Sequence, residues 1–174
     1  MAGGAGARLT HDGLTLAEAQ PDDWPGIWRV FHAVVATADT YPYPPDITEG
    51  DARSIWMRGG EREATFVARI GDEIVGTAYV KPNQPGLGDH VANAGWMIHP
   101  DSQGQGLGRR FAGYVIDQAR DSGYLGMQFN SVVSTNYAAV ALWESLGFEI
   151  VGTVPAAFRH PSGLVPIHVM YREL

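Results

Sequence analysis

The residues with the clearest chemical potential are Gln103-Gly104-Gln105-Gly106-Leu107-Gly108, between a strand-like run and a helix-like run. Glycines at alternate positions leave backbone N–H groups uncovered, and the helix that follows points its positive dipole end at the same spot. That combination suits a phosphate or pyrophosphate. The same glycines also serve as plain turn residues, so the loop by itself leaves both readings open. It is not a dinucleotide fingerprint, which sits in the first β-α turn with an acidic residue about 20 residues further on. It is not a Walker loop, because Arg109 follows Gly108 in place of Lys-Ser/Thr. The six histidines are scattered without ligand spacing, and there is no cysteine, so neither a metal site nor a thiol nucleophile is expected.

The elements that must position this loop follow from periodicity. Leu14 to Ala19 alternates as a strand, and Pro21-Asp22-Asp23 opens a helix whose apolar stripe is Trp24, Ile27, Trp28, Phe31, Val34 and Val35. Residues 39–45 carry three prolines and cannot be helical. Thr48 suits the N-cap of a second helix through Arg58. Thr65 to Ile70 and Ile74 to Val80 read as a hairpin around Gly71-Asp72, and Val91 to His99 as a fourth strand ended by Pro100. The third helix has Leu107, Phe111, Val115 and Ala119 on one face and stops at Gly123. Leu125 to Val133 is a fifth strand. Ser134 or Thr135 caps a fourth helix with the stripe Ala139, Leu142, Trp143 and Leu146, which Gly147 ends. Phe148 to Val154 and Ile167 to Tyr171 close the chain. The layout is α/β with a mixed sheet, in one domain over 14–174 behind a flexible lead over 1–13.

The chain has 12 Lys+Arg against 19 Asp+Glu, a net charge of -7, which disfavours a nucleic-acid partner. No apolar run approaches the ~20 residues that span a bilayer, so no membrane partner is expected. The N-terminus lacks a basic start followed by an apolar stretch, and the cytoplasm is the expected location.

Three stretches carry a family resemblance: Trp96-Met97-Ile98-His99-Pro100, Gln103-x-x-Gly106-x-Gly108, and Asn136-x-x-Ala139-x-x-Leu142-Trp143-x-x-x-Gly147-Phe148. With the element order, they resemble the GNAT superfamily of acyl-CoA-dependent N-acyltransferases from about Leu14 to Tyr171. The resemblance implies a central mixed, mostly antiparallel sheet whose fourth and fifth strands splay, flanked by helices. It also implies acetyl-CoA as co-substrate and no metal. The pyrophosphate would rest on the backbone at Gln103, Gly104, Gln105, Gly106, Gly108 and Arg109. The pantetheine arm would lie along Met97 and Ile98 and meet Asn136. The backbone N–H of Trp96 would face the thioester oxygen as an oxyanion donor.

One departure bears on mechanism. The family often places a tyrosine, the acid for the leaving thiolate, where this chain has Trp143. Indole N–H donates a hydrogen bond but delivers no proton at neutral pH. A CoA thiol of pKa near ~8.5 leaves readily without a strong acid. Trp143 also fits the apolar stripe as a plain core residue, and Tyr137 is a weaker substitute acid.

Acceptors in this family bind between the first helix pair and the splayed strands, where Tyr41 and Tyr43, on a proline-stiffened loop, would make a rigid wall for a small substrate. Asn93 and Asn130 on the fourth and fifth strands are unusual there, because amides are poor strand residues and need partners when buried. Facing the cleft, they would bracket a carboxylate or amine; otherwise they are structural. The pair, with Ser134-Thr135-Asn136, is similar to a GNAT branch that acetylates small amino acids such as azetidine-2-carboxylate. The expected reaction is direct attack of an amine on acetyl-CoA without a covalent enzyme intermediate. Base candidates are Asp39 and a water held by Asn93 or Asn130; Glu144 is expected on a solvated face, and His99 as a satisfied strand-end residue. The alternatives are a protein lysine or N-terminal acetyltransferase and a non-catalytic acyl-CoA-binding module. A homodimer through the C-terminal strands is common in the family, with Phe158-Arg159-His160-Pro161 near an acceptor site.

Overall fold

The computed structural model describes residues 8–9, 13–104 and 106–174. Its sheet has eight strands: β1 (Arg8–Leu9), β2 (Leu14–Glu18), β3 (Ala64–Ile70), β4 (Glu73–Pro82), β5 (Val91–Ile98), β6 (Gly126–Val133), β7 (Glu149–His160) and β8 (Gly163–Glu173). They lie in the order β1-β2-β3-β4-β5-β6-β8-β7. Every pair is antiparallel except β5 and β6. The helices are α1 (Trp24–Val35), α2 (Glu49–Trp56), α3 (Leu107–Asp121) and α4 (Tyr137–Ser145). The mixed, mostly antiparallel α/β sheet matches the expected layout.

Several boundaries differ from those read in the sequence. Arg8–Leu9 forms a short strand on β2, inside the stretch expected to be a lead. Pro21–Asp23 is a single 3-10 turn feeding α1, with the Asp23 carboxylate accepting from the Gln20 N–H at 2.8 Å. The cap of α4 is Asn136, not Ser134 or Thr135, because its side-chain oxygen accepts from Ala139 N–H at 3.2 Å. The terminal strands run well past Val154 and before Ile167, as a long hairpin that leaves Ile150, Val151, Val154 and Leu164 exposed. Both halves pair with each other there, so backbone hydrogen bonding extends the strands where the apolar pattern stops.

The core lies on both faces of the sheet. On one side α1 and α2 bring Ile27, Phe31, Val35 and Trp56 against Val67, Tyr79 and Met97. On the other, α3 and α4 bring Phe111, Val115 and Trp143 against Ala78, Val80 and Phe129. The predicted stripe of α3 (Leu107, Phe111, Val115 and Ala119) is buried throughout. Of the α4 stripe only Trp143 is fully buried, while Ala139, Leu142 and Leu146 pack at its edge. Among the described residues no helix is long and apolar enough to cross a membrane.

One local feature governs everything that follows. The parallel ladder between β5 and β6 spans three pairs, Val91↔Gly126, Ala92↔Met127 and Asn93↔Gln128, and then stops. From Ala94 to Ile98 and from Phe129 to Val133 the strands diverge, opening a wedge through the middle of the sheet. The splay implied by the family resemblance, at its fourth and fifth strands, lies here between β5 and β6.

Candidate acyl-transfer site at the splayed strands

Two cavities of about 280 Å³ each open at the wedge. One is lined by Tyr41, Tyr43, Tyr79, Asn93, Asn130 and Ser131. The other is lined by Ile98, Gln103, Gly104, Gly108, Ala138 and Leu142. Trp96, Asn136, Ala139 and Trp143 line both, so the two cavities meet at these four residues.

The backbone of β5 explains the second cavity. His99 N–H donates to the Val75 carbonyl at 2.8 Å, and antiparallel pairing alternates along the strand. Met97 therefore turns its backbone toward β4, and its side chain is buried in the α1/α2 core. Trp96 and Ile98 turn theirs into the wedge. Of the residues assigned to the pantetheine arm, Ile98 reaches the cavity and Met97 does not.

The glycine loop ends the same cavity. Gly104 and Gly106 have φ of 83° and 71°, left-handed conformations that strain any residue with a Cβ, and nothing lies within 4 Å of where a Cβ would project. Gly106 is also the N-cap of the 15-residue α3, so unpaired N–H groups of the first helical turn open there. Gln103, Gly104 and Gly108 line the cavity, while Gly106 and Arg109 do not. The Arg109 side chain instead donates to Ser145 Oγ at 2.7 Å and ties α3 to α4. Gln105 lies outside the described residues. A glycine cradle, a helix N-terminus and an unpaired strand edge on one cavity fit the pyrophosphate and amide arm of a coenzyme A group.

The first cavity is set by aromatic packing. Trp56 is fully buried, donates from its indole to Thr77 Oγ1 at 2.8 Å, and meets Tyr79 edge-on at 4.9 Å between centroids. A Cβ on Gly95 would lie 2.7 Å from the Tyr79 ring, so glycine there lets the ring press onto β5. Tyr79 donates to Asn93 Oδ1 at 3.2 Å, and Asn93 Nδ2 donates to the Gln128 carbonyl at 3.0 Å. Tyr41 stacks on Tyr43 and donates to the Trp96 carbonyl at 2.7 Å, anchoring the proline loop to the open edge of β5.

Asn130 receives a hydrogen bond from Gln128 Nε2 at 2.8 Å and donates to Asn83 Oδ1 at 2.7 Å. Both asparagines thus spend their oxygen and one N–H inside the protein, and each retains a second amide N–H. Sequence reasoning found the asparagines but not Asn83, Gln128 or Tyr79, which orient them. Tyr79 and Gln128 reach Asn93 from the neighbouring strands and Asn83 reaches Asn130 from just past the end of β4, whereas Gln128 reaches Asn130 from two residues away on the same strand.

Burial pushes the hydroxyls of Tyr41, Tyr43 and Tyr79 above the ordinary tyrosine range. For Tyr41 the neighbouring Tyr79 and Tyr43 add to the effect, and for Tyr79 the guanidinium of Arg58 opposes it. All three are neutral donors at neutral pH. Asp39, the side-chain base candidate, is elsewhere, as are Glu144 and His99, while the two asparagines that are candidates to hold a basic water line the acceptor cavity. Asp39 accepts from Thr37 Oγ1, Glu144 is exposed, and His99 Nδ1 accepts from Asp101 N–H. None of them lines either cavity. Tyr137 is 77% exposed and points away.

Trp143 is 8% exposed and packs on Trp96, Phe129 and Phe148 at centroid distances of 5.0, 4.7 and 5.9 Å. It is a core residue whose face also walls both cavities. The indole nitrogen of Trp96 is buried with no hydrogen-bond partner among the described residues, a cost of ~1–3 kcal/mol unless a ligand supplies one.

Residues 31–148 match the model of the acetyltransferase (GNAT) family. The chain belongs to that family. A GCN5-related N-acetyltransferase from Kribbella flavida is similar along nearly the whole chain, at 43% identity and a TM-score of 0.90, covering 95% of this chain and 100% of that one. The fold alone is shared with a phosphinothricin acetyltransferase from Sinorhizobium meliloti solved in complex with acetyl-CoA, at 20% identity, a TM-score of 0.82, and coverage of 93% and 89%. Among curated relatives, the N-acetyltransferase aca1 of Schizosaccharomyces pombe is 35% identical over 86 residues, 49% of this chain and 41% of that protein. The L-methionine sulfoximine/L-methionine sulfone acetyltransferase of Pseudomonas paraeruginosa is 28% identical over 148 residues, 81% of this chain and 83% of its own length. The first of these curated relatives is thus matched over about two fifths of its length.

Proposed function

We propose that this GNAT protein moves an acetyl group from acetyl-CoA to the amine of a small carboxylate-bearing molecule, an amino acid or analogue. The observation that carries the reading is the meeting of two cavities at Trp96, Asn136, Ala139 and Trp143, which lets two ligands touch end to end inside the wedge. Similarity to a methionine sulfoximine acetyltransferase over most of both chains supports the amino-acid class.

Coenzyme A would be held by the glycine loop at Gln103, Gly104 and Gly108, the α3 N-terminus, the open edge at Ile98, and Asn136. When bound, acetyl-CoA supplies a thioester carbon open to amine attack and a thiol of pKa near ~8.5 as leaving group. The Trp96 backbone N–H faces the wedge as a donor for charge developing on the carbonyl oxygen. Trp143 walls the junction and excludes water; its indole is no acid. The first cavity, the acceptor side, presents amide donors, because the oxygens of Asn93 and Asn130 are already engaged while an N–H of each is left. Donors without acceptors suit a carboxylate. The described residues lining the acceptor cavity include no carboxylate or imidazole, so the ammonium would give its first proton to solvent; the C–N bond would then form as the C–S bond breaks, and the second nitrogen proton would pass through water to the leaving coenzyme A thiolate.

The test is product identification. Acetyl-CoA is incubated with the protein and a mixture of amino acids, proline analogues, polyamines and a lysine peptide, and products are weighed by mass spectrometry. N-acetyl amino acids support the proposal. Acetylation of the peptide alone would replace it with a protein acetyltransferase.

A further inference from the structure

Lys81 is the single lysine of the chain. It sits on β4 directly opposite Asn93 of β5, which brings their Cβ atoms to about 5 Å. Strand alternation puts Tyr79, Lys81 and Asn83 on one face. Two hydrogen bonds mark that face as the acceptor side: Tyr79 to Asn93, and Asn130 to Asn83. Lys81 does not itself line the acceptor cavity, but the register sets it beside Asn93, which does, and between Tyr79 and Asn83, the residues that hold the two asparagines. It is partly buried, and among the described residues no carboxylate pairs with it. The cavity itself is lined by uncharged residues, Tyr41, Tyr79, Asn93, Asn130 and Ser131 among them.

We infer that Lys81 is the charge that selects carboxylate-bearing acceptors: its ammonium attracts the carboxylate that the neutral amide N–H groups of Asn93 and Asn130 orient. The inference rests on the proposed amino-acid acceptor and adds to it the residue that sets specificity. Neutral donors fix geometry but distinguish poorly between an acid and its amide, since both offer a carbonyl oxygen. A formal charge beside the cavity separates them, acting on capture more than on chemistry. A second cation, Arg58, sits over the Tyr79 ring with its guanidinium 5.8 Å from the ring centroid, and it too does not line the cavity.

The experiment compares an amino-acid acceptor with its amide and methyl ester on the wild type, Lys81→Gln and Lys81→Arg. Coenzyme A affinity and melting temperature are measured on the same preparations. The expected result is a KM for the acid raised about three- to tenfold in Lys81→Gln, with kcat and both neutral acceptors nearly unchanged, and recovery in Lys81→Arg. Added salt narrows the wild-type preference for the acid and leaves Lys81→Gln unaffected. An equal effect of Lys81→Gln on acid, amide and ester, or none on any, overturns the role of Lys81 while leaving the amino-acid reading intact. A wild type that prefers neither acid nor amide overturns both.

Discussion

The side-chain amide of Asn93 donates to the backbone carbonyl of Gln128 at 3.0 Å, at the last pair of the β5–β6 ladder. One residue thus both braces the apex of the wedge and lines the cavity beside it. Replacing Asn93 by alanine strands the Tyr79 hydroxyl and leaves the Gln128 carbonyl without its side-chain donor. The expected loss is about 1–3 kcal/mol of stability, read by denaturant unfolding, together with weaker acceptor use. Full stability in this variant would show that the apex does not depend on the side chain.

Asn130 differs, because it is exposed and its partners Asn83 and Gln128 are side chains. The Asn130→Ala variant is expected to raise the acceptor KM by roughly tenfold, as for loss of a hydrogen bond to a charged group, with coenzyme A affinity near normal. Loss of coenzyme A binding instead would place Asn130 on the wrong side of the junction.

Gly106 is the left-handed N-cap of α3. In Gly106→Asp, backbone strain joins a negative charge at the α3 N-terminus, next to the cavity-lining Gly104 and Gly108, and coenzyme A affinity is expected to fall roughly tenfold or more. Titration calorimetry reads this directly. Unchanged affinity would remove the phosphate from the loop.

Trp143 stands where the family resemblance implies a tyrosine acid, and indole cannot act as one, so Trp143→Phe is expected to keep kcat within about tenfold of the wild type. The Trp143→Ala variant, which empties the space against Trp96 and Phe129, is expected to lose about 3–5 kcal/mol of stability. A collapse of kcat in Trp143→Phe with normal folding would make the indole N–H catalytic.

The tyrosine wall predicts an alkaline limit. Burial raises the folded-state pKa of Tyr41, Tyr43 and Tyr79 above the value near ~10 of the unfolded chain. The Tyr124 hydroxyl is pushed up to about 12 by burial as well. The unfolded state then releases protons first as pH rises, so this stability is fully present below pH ~10 and declines above it. Melting temperatures are expected to be insensitive to these groups between pH 7 and 9, and Tyr41→Phe to soften the loss above pH ~10.

How far the sequence disclosed this depends on where each signal resides. The loop at Gln103–Gly108, the stripe of α3 and the Thr48 cap are local patterns, and each appears in the structure. The asparagines stood out because amides are rare in central strands. The bonds of Asn93 to Tyr79 and to the Gln128 carbonyl, and of Asn130 to Asn83, are set by how neighbouring strands are aligned, which no local pattern carries; only the Gln128–Asn130 bond is local, at two residues' spacing on β6. Lys81 passed unnoticed because a lysine near a strand end reads as solvated surface until register places it opposite Asn93. The long terminal hairpin was underestimated for a related reason: its outer residues are exposed, so backbone pairing rather than apolar alternation defines its length.

The most direct test of the central claim is thiol release from acetyl-CoA with one acceptor at a time, alongside coenzyme A binding on the same protein. The chain has no cysteine, so a thiol reagent reads only the released coenzyme. Turnover is expected with small carboxylate-bearing amines, and little with polyamines or a lysine peptide. Intact coenzyme A binding with no turnover on any small amine would contradict it and leave the wedge as a binding site without chemistry.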